Sequence, residues 1–172
     1  SQFSGDDGDD IFNLTDTDTY VVVGGAGTDT FNTSTDIDSV IIGGDGTDTL
    51  VIGAATLDLA DNTNFAFSGI EKLDITSATG TTVISAKQLS NNSTLAIVAN
   101  GDQLNIEIDP LVAAVGGTLD ASNVTIASGS TALLNYVGSS KTDTITGGVA
   151  AEIFTMTAGD DTIDGGTGTN KV

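Results

Sequence analysis

The chain has 172 residues, a length one domain accommodates. Its 24 acidic residues against 4 basic ones give a formal net charge of -20, which argues against nucleic acid or an anionic membrane surface as partner. It has no cysteine and no histidine, so a disulfide framework, a thiolate metal site and a histidine-based triad are all excluded.

Such acidity with 5% aromatic residues is also the mark of disorder. Against that, 38% of the chain is hydrophobic, and those residues recur periodically. The combination points to a fold that needs cations to offset its own repulsion. No stretch is apolar enough to span a bilayer, and the N-terminus lacks the basic and apolar regions of a signal peptide. The chain begins and ends inside repeats, and is read as a piece of a larger protein.

Residues 1–51 tile into nonapeptides. Ser4 to Phe12 is a degenerate first copy, and Asn13 to Val21 is the next. Val22 and Val23 are inserted before Gly24 to Asn32. Thr33 to Ile41 follows without glycine, then the extra Ile42, then Gly43 to Val51. The copies at 24–32 and 43–51 both read G-G-x-G-x-D-x-U-x, with U a large apolar residue. The acidic slots are Asp9, Asp18, Asp29, Asp38 and Asp48, and the apolar slots Ile11, Tyr20, Phe31, Val40 and Leu50. Glycine reaches left-handed backbone angles at little steric cost, so the turn is tight. Its carbonyls and the Asp are the hard oxygens that Ca²⁺ prefers. The apolar residue two places on faces the interior, because side chains alternate along a strand.

Residues 52–137 lose the glycines but stay β-rich. Strands are predicted near 67–76, 94–98, 104–108 and 124–127 from alternation and β-branched content. Val83 to Leu89 echoes Thr118 to Val124, and Ser93-Thr94 echoes Ser130-Thr131, about two eighteen-residue periods apart. Leu57 to Asn64 and Asp109 to Gly116 read as excursions, the second as a short helix with Asp109 as cap and Pro110 in its first turn.

From Gly138 the nonapeptide register returns. Gly138 to Thr146 carries Asp143 and Ile145, Gly147 to Thr155 carries Glu152 and Phe154, and Met156 to Asp164 carries Asp161 and Ile163. Gly165 to Val172 begins another, with Asn170 in the acidic slot. At most one or two occupied metal sites are expected here, foremost at Asp161 with Asp143 across from it.

The two full copies of the glycine-aspartate phrase resemble the RTX family of calcium-binding nonapeptide repeats. That resemblance implies an all-β fold, a right-handed parallel β-roll or β-helix solenoid whose glycine-rich turns bind Ca²⁺. It implies two nonapeptides per turn, so that Asp9, Asp29 and Asp48 stack as one ladder with calcium between neighbours. The implied ligand set is Asp9, Gly24, Ala26, Gly27, Asp29, Gly43, Asp45, Gly46 and Asp48. Asp18 and Asp38 on the other side, each preceded two places earlier by Asp16 or Asp36, are either modified calcium turns or solvated acidic corners. Residues 1–51 form the first repeat block, 52–137 a calcium-poor continuation, and 138–172 a second block. The resemblance also implies secretion without a cleaved N-terminal signal. The strand type Ile70-Glu71-Lys72-Leu73-Asp74-Ile75 further resembles bacterial surface-layer proteins. The expected role is a calcium-dependent structural module of a secreted cell-surface protein, a surface layer or an adhesin, assembling with like subunits or with surface polysaccharide. Two other roles stay open: the secretion tail of a secreted enzyme, and an ice- or glycan-binding face built on Thr28-x-Thr30, Thr47-x-Thr49 and Thr142-x-Thr144. No enzymatic role is expected of this segment, since its aspartates fall in a repeat and no separate carboxyl pair stands out.

Overall fold

The computed structural model describes the chain except residues 16–17, 34–37, 54–56, 79 and 109–115. The predicted helix after Asp109, and Asp16 and Asp36, lie outside the described residues. The first third carries β1 (Gln2–Asp7), β2 (Ile11–Leu14), β3 (Val21–Gly27), β4 (Thr30–Thr33), β5 (Val40–Gly46) and β6 (Thr49–Ile52). The middle carries β7 (Leu57–Asp58), β8 (Ala66–Ser68), β9 (Lys72–Asp74), β10 (Thr82–Ser85), the short helix α1 (Ala86–Ser90), β11 (Leu95–Val98), β12 (Asn100–Glu107), β13 (Thr118–Asp120) and β14 (Val124–Ile126). β15 (Thr131–Val137), β16 (Thr144–Thr146), β17 (Glu152–Thr155) and β18 (Thr162–Asp164) complete the described chain.

The fold is all-β, and the pairings between these strands are parallel. Four sheets result, ordered β1-β3-β5-β8, β2-β4-β6-β9-β11-β14, β7-β10-β12-β15-β17 and β13-β16-β18. The second runs unbroken from the first repeats into the middle of the chain. Its inward residues form one row: Phe12, Phe31, Leu50, Leu73, Ile97 and Ile126 lie side by side in register. Phe12 and Phe31 stack with ring centroids 5.1 Å apart and planes 6° from parallel. The first sheet adds the row Val22, Ile41, Phe67, and the third adds Ile84, Ile106, Tyr136, Phe154. Side chains two apart share a face of a strand, so each row is one in/out choice repeated by every neighbour.

The repeats step differently from their predicted tiling. Successive strands in the first block are displaced by 19 residues, seen alike at Asp10–Asp29 and Asp29–Asp48. One residue is therefore added to each pair of nonapeptides, rather than two and then one. The first copy shifts accordingly: Phe12, not Ile11, takes the inward slot, and Ile11 is 70% exposed. On the facing sheet Val22 and Ile41 are fully buried, while Tyr20 and Val40 are only half-buried. In the last block the step is 18 residues, two nonapeptides without an insertion.

The 83–89 and 118–124 segments do not pair as strands, although α1 in the first packs against β13 in the second. β10 pairs with β7 and β12, whereas β13 pairs with β16. Within the first segment lies a helix the sequence reading did not anticipate. Ser85 caps it: its hydroxyl accepts the Gln88 N–H, and the Gln88 side chain accepts the Ser85 N–H at 2.9 Å. The Gln88 amide then donates to the Leu59 and Phe65 carbonyls at 2.8 and 3.2 Å. Asn92 accepts the Ile70 N–H at 3.0 Å. β8 ends its sheet, and these amides satisfy main-chain groups around it that a further strand would otherwise pair.

Candidate functional site: the acidic corners

The chain leaves the first sheet and enters the second through the glycine-aspartate phrase. In that passage Gly25, Gly27, Gly44 and Gly46 have φ of 120°, 144°, 122° and 138°. At Gly44 an added Cβ would press on the Gly25 carbonyl of the neighbouring strand, so only glycine permits both this angle and this approach. The Asp five places after the first glycine then folds back over it. Asp29 lies over Gly24 and Asp48 over Gly43, and both are fully buried.

Each of these carboxylates uses one oxygen to tie neighbouring strands together. The Asp10 N–H donates to Asp29 Oδ1 at 2.9 Å, the Asp29 N–H to Asp48 Oδ1 at 2.9 Å, and the Asp48 N–H to Glu71 Oε2 at 2.9 Å. The second oxygens of Asp10, Asp29 and Asp48 are buried without a hydrogen-bond partner. Each shares its niche with another acceptor. The position a Cβ would take on Gly24 is 2.6 Å from the Gly43 carbonyl, and beside Asp29 Oδ2. The same position on Gly5 is 2.6 Å from the Gly24 carbonyl, beside Asp10 Oδ2. On Gly43 it is 2.5 Å from Asp48 Oδ2 and beside the Gly69 carbonyl. Carbonyl and carboxylate oxygens thus converge where no donor stands. Burial pushes the Asp48 carboxyl above the usual range; the Asp29 N–H opposes this, and the Asp29 and Glu71 charges add to it.

The ladder is therefore Asp10, Asp29, Asp48 and Glu71. Asp9 is one place off: it is exposed, and its Oδ1 accepts the Thr28 N–H at 2.7 Å. The Gly5 to Asp10 spacing, the same as Gly24 to Asp29 and Gly43 to Asp48, carried that register in the sequence. Glu71 carried no such signal, because its glycine code is broken. The Ala26 carbonyl accepts the Gly8 N–H at 2.6 Å, and Asp45 is exposed on β5 opposite Ala26. Asp18, which accepts the Tyr20 hydroxyl at 3.4 Å, is exposed, and Asp38 is half-buried. Neither belongs to the buried ladder.

The last block repeats the plan with different chemistry. Asp143 is fully buried, but its oxygens are served by protein donors: the Gly117 N–H at 2.9 Å, the Ser139 hydroxyl at 2.8 Å and the Ser139 N–H at 2.6 Å. Asp161 is half-buried and accepts the Asp143 N–H at 2.9 Å. Asn170 accepts the Glu152 N–H at 3.1 Å through Oδ1, while its Nδ2 donates to the Gly165 carbonyl. Its amide supplies a donor that the aspartate corners lack.

Among the described residues no three acidic side chains gather into a metal cluster. The corners offer instead a carboxylate oxygen per step with main-chain carbonyls, a donor set of the kind hard cations take. The orphaned Asp10, Asp29 and Asp48 oxygens, each in a cradle that a Cβ would fill, fit such an ion. The expected threonine array is short and divided: Thr30 and Thr49 align and are followed by Lys72, while Thr144 aligns with Thr118 and Thr162 in a separate sheet. Among the described residues no helix is long and apolar enough to cross a membrane. No protein-family model, curated protein or solved structure matches the chain.

Proposed function

We propose that this segment is a calcium-dependent structural module of a secreted bacterial cell-surface protein, of surface-layer or adhesin type, wound as a right-handed parallel β-roll. The observation that carries this reading is the row of buried carboxylate oxygens at Asp10, Asp29 and Asp48, each facing a glycine carbonyl with no donor between them. Ca²⁺ bound there supplies the positive charge that lets opposed oxygens share one niche. The chain's own residues do the rest. The glycines let neighbouring strands approach, the Oδ1 atoms hold the register, and the apolar rows close behind them.

A net charge of -20 resists compaction until that charge arrives. An ion that binds only the folded chain adds stability by mass action, about 2.7 kcal/mol per site at a hundredfold excess over its dissociation constant. Export of a loose chain and folding outside the cell follow from the same dependence. Circular dichroism of the 172-residue chain, titrated with calcium and then with a chelator, tests this. Parallel-β signal should grow with calcium and fall with the chelator. A full β signal in chelator at neutral pH would overturn the reading.

A further inference from the structure

The corners share one plan but differ in what satisfies the atom above the first glycine. Over Gly24 and Gly43 it is an aspartate oxygen facing only acceptors. Over Gly165 it is the Asn170 amide, which satisfies itself. Over Gly147 it is Glu152, a residue the aspartate pattern does not include.

Glu152 is 1% exposed. Its Oε1 accepts the Gly148 N–H at 2.9 Å and the Tyr136 hydroxyl at 3.4 Å, while Oε2 is buried with no partner. A Cβ placed on Gly147 would lie 2.9 Å from that Oε2, 3.1 Å from the Gly165 carbonyl oxygen and 3.1 Å from the Phe154 ring. Oε2 therefore looks at an acceptor on one side and hydrocarbon on the other. Tyr136 and Phe154, edge to face at 5.4 Å, form that wall.

Two opposed acceptors need either a cation or a proton between them. Ca²⁺ requires six to eight oxygens, and one wall here is an aromatic ring. The next step also brings no second carboxylate. It brings Asn170, whose Nδ2–H already points at the Gly165 carbonyl, so the positive end of an amide stands where a shared ion would sit. A proton on Oε2 turns one acceptor into a donor, and the carbonyl's second lone pair can receive it.

We propose that Glu152 is a proton site: its carboxyl is neutral in the folded chain, donates from Oε2 towards the Gly165 carbonyl, and takes no metal. A buried carboxylate without a counter-charge is strongly disfavoured, and the bound proton removes that penalty. Among the described residues the titratable group that faces it is Tyr136 on β15. Asp164 and Lys171 approach through main-chain bonds only, the Asp164 carbonyl accepting the Gly147 N–H and the Lys171 N–H donating to the Glu152 carbonyl, and their side chains are exposed. Burial raises the Glu152 carboxyl above its ordinary range, with the Gly148 N–H and Tyr136 hydroxyl opposing in part. A pKa raised on folding gives stability that is complete at low pH and lost as pH climbs through the folded value. The last block is thus held by a proton where the first is held by metal.

The chain has three glutamates, Glu71, Glu107 and Glu152, so glutamate-labelled carboxyl carbon resonances are few enough to resolve. Glu152→Gln and Glu152→Asp identify the resonance, each by removing it from the glutamate set. In the calcium-loaded wild-type chain it should titrate at higher pH than in the urea-unfolded chain, and calcium should not move it to the ionised position. Glu152→Gln, which keeps a donor in place, should lose less melting temperature than the wild type as pH rises. Titration at or below the unfolded value, or a calcium-driven shift to the ionised position, would overturn the proposal. If the chain proves calcium-independent by circular dichroism, the titration still decides Glu152 by itself.

Discussion

Asp48→Asn separates a corner that needs an ion from one that does not. The substitution keeps Oδ1 as the acceptor for the Asp29 N–H, 2.9 Å away in the wild type. It replaces the orphaned Oδ2 by an N–H₂ beside the Gly69 carbonyl of the next step, a donor of the kind Asn170 supplies to the Gly165 carbonyl of its own corner. In chelator the wild type leaves a fully buried acceptor unsatisfied, a defect worth about 1–3 kcal/mol and more when the group is charged. The variant should therefore gain about 1–3 kcal/mol in chelator, or roughly 2–4 °C of melting temperature per kcal/mol for a chain of this size. In calcium it should fall behind, because the carboxylate proposed as a ligand is gone. The sign with pH follows from the raised Asp48 pKa. Without metal, the wild type should lose stability as pH rises through the folded value, and Asp48→Asn should flatten that loss. Calorimetric melts of both proteins, in calcium and in chelator, give all four quantities. A variant less stable than wild type in chelator, with its calcium-dependent increment intact, would refute the reasoning.

The reverse exchange, Asn170→Asp, removes the amide donor to the Gly165 carbonyl and should lower the chelator melting point by the equivalent of about 1–3 kcal/mol; an unchanged melt would count against the amide's role. Gly24→Ala places a methyl 2.6 Å from the Gly43 carbonyl and against Asp29 Oδ2, so it should weaken calcium affinity measured by calorimetric titration and lower stability even in chelator. Leu50→Ala opens a cavity between Phe31 and Leu73 in a fully buried row and should cost about 2–5 kcal/mol in urea unfolding, with calcium affinity of the folded chain little changed.

Local chemistry is legible in the chain alone. Gly24, Gly43 and the aspartates five places on are fixed by covalent spacing, and the alternation around Phe31 and Leu50 sets their inward faces before any neighbour is known. The strands near 94–98, 104–108 and 124–127 were legible for the same reason, whereas 67–76 divides into β8 and β9, which lie in different sheets on either side of Gly69. Register was decided only between strands. Whether Ile11 or Phe12 turns inward depends on which one stacks on Phe31, and that choice moved the ladder from Asp9 to Asp10. Glu71 entered the ladder through a step of 23 residues that no repeat announces. α1 had a capping box in its sequence, but only packing against β13 and β8 gave so short a segment a reason to be helical. The second oxygen of each acid was likewise settled by its surroundings. One aspartate type, set by one motif, is saturated by Ser139 at Asp143 and left without a donor at Asp48, because a carboxylate's needs are met or missed by groups brought from other strands.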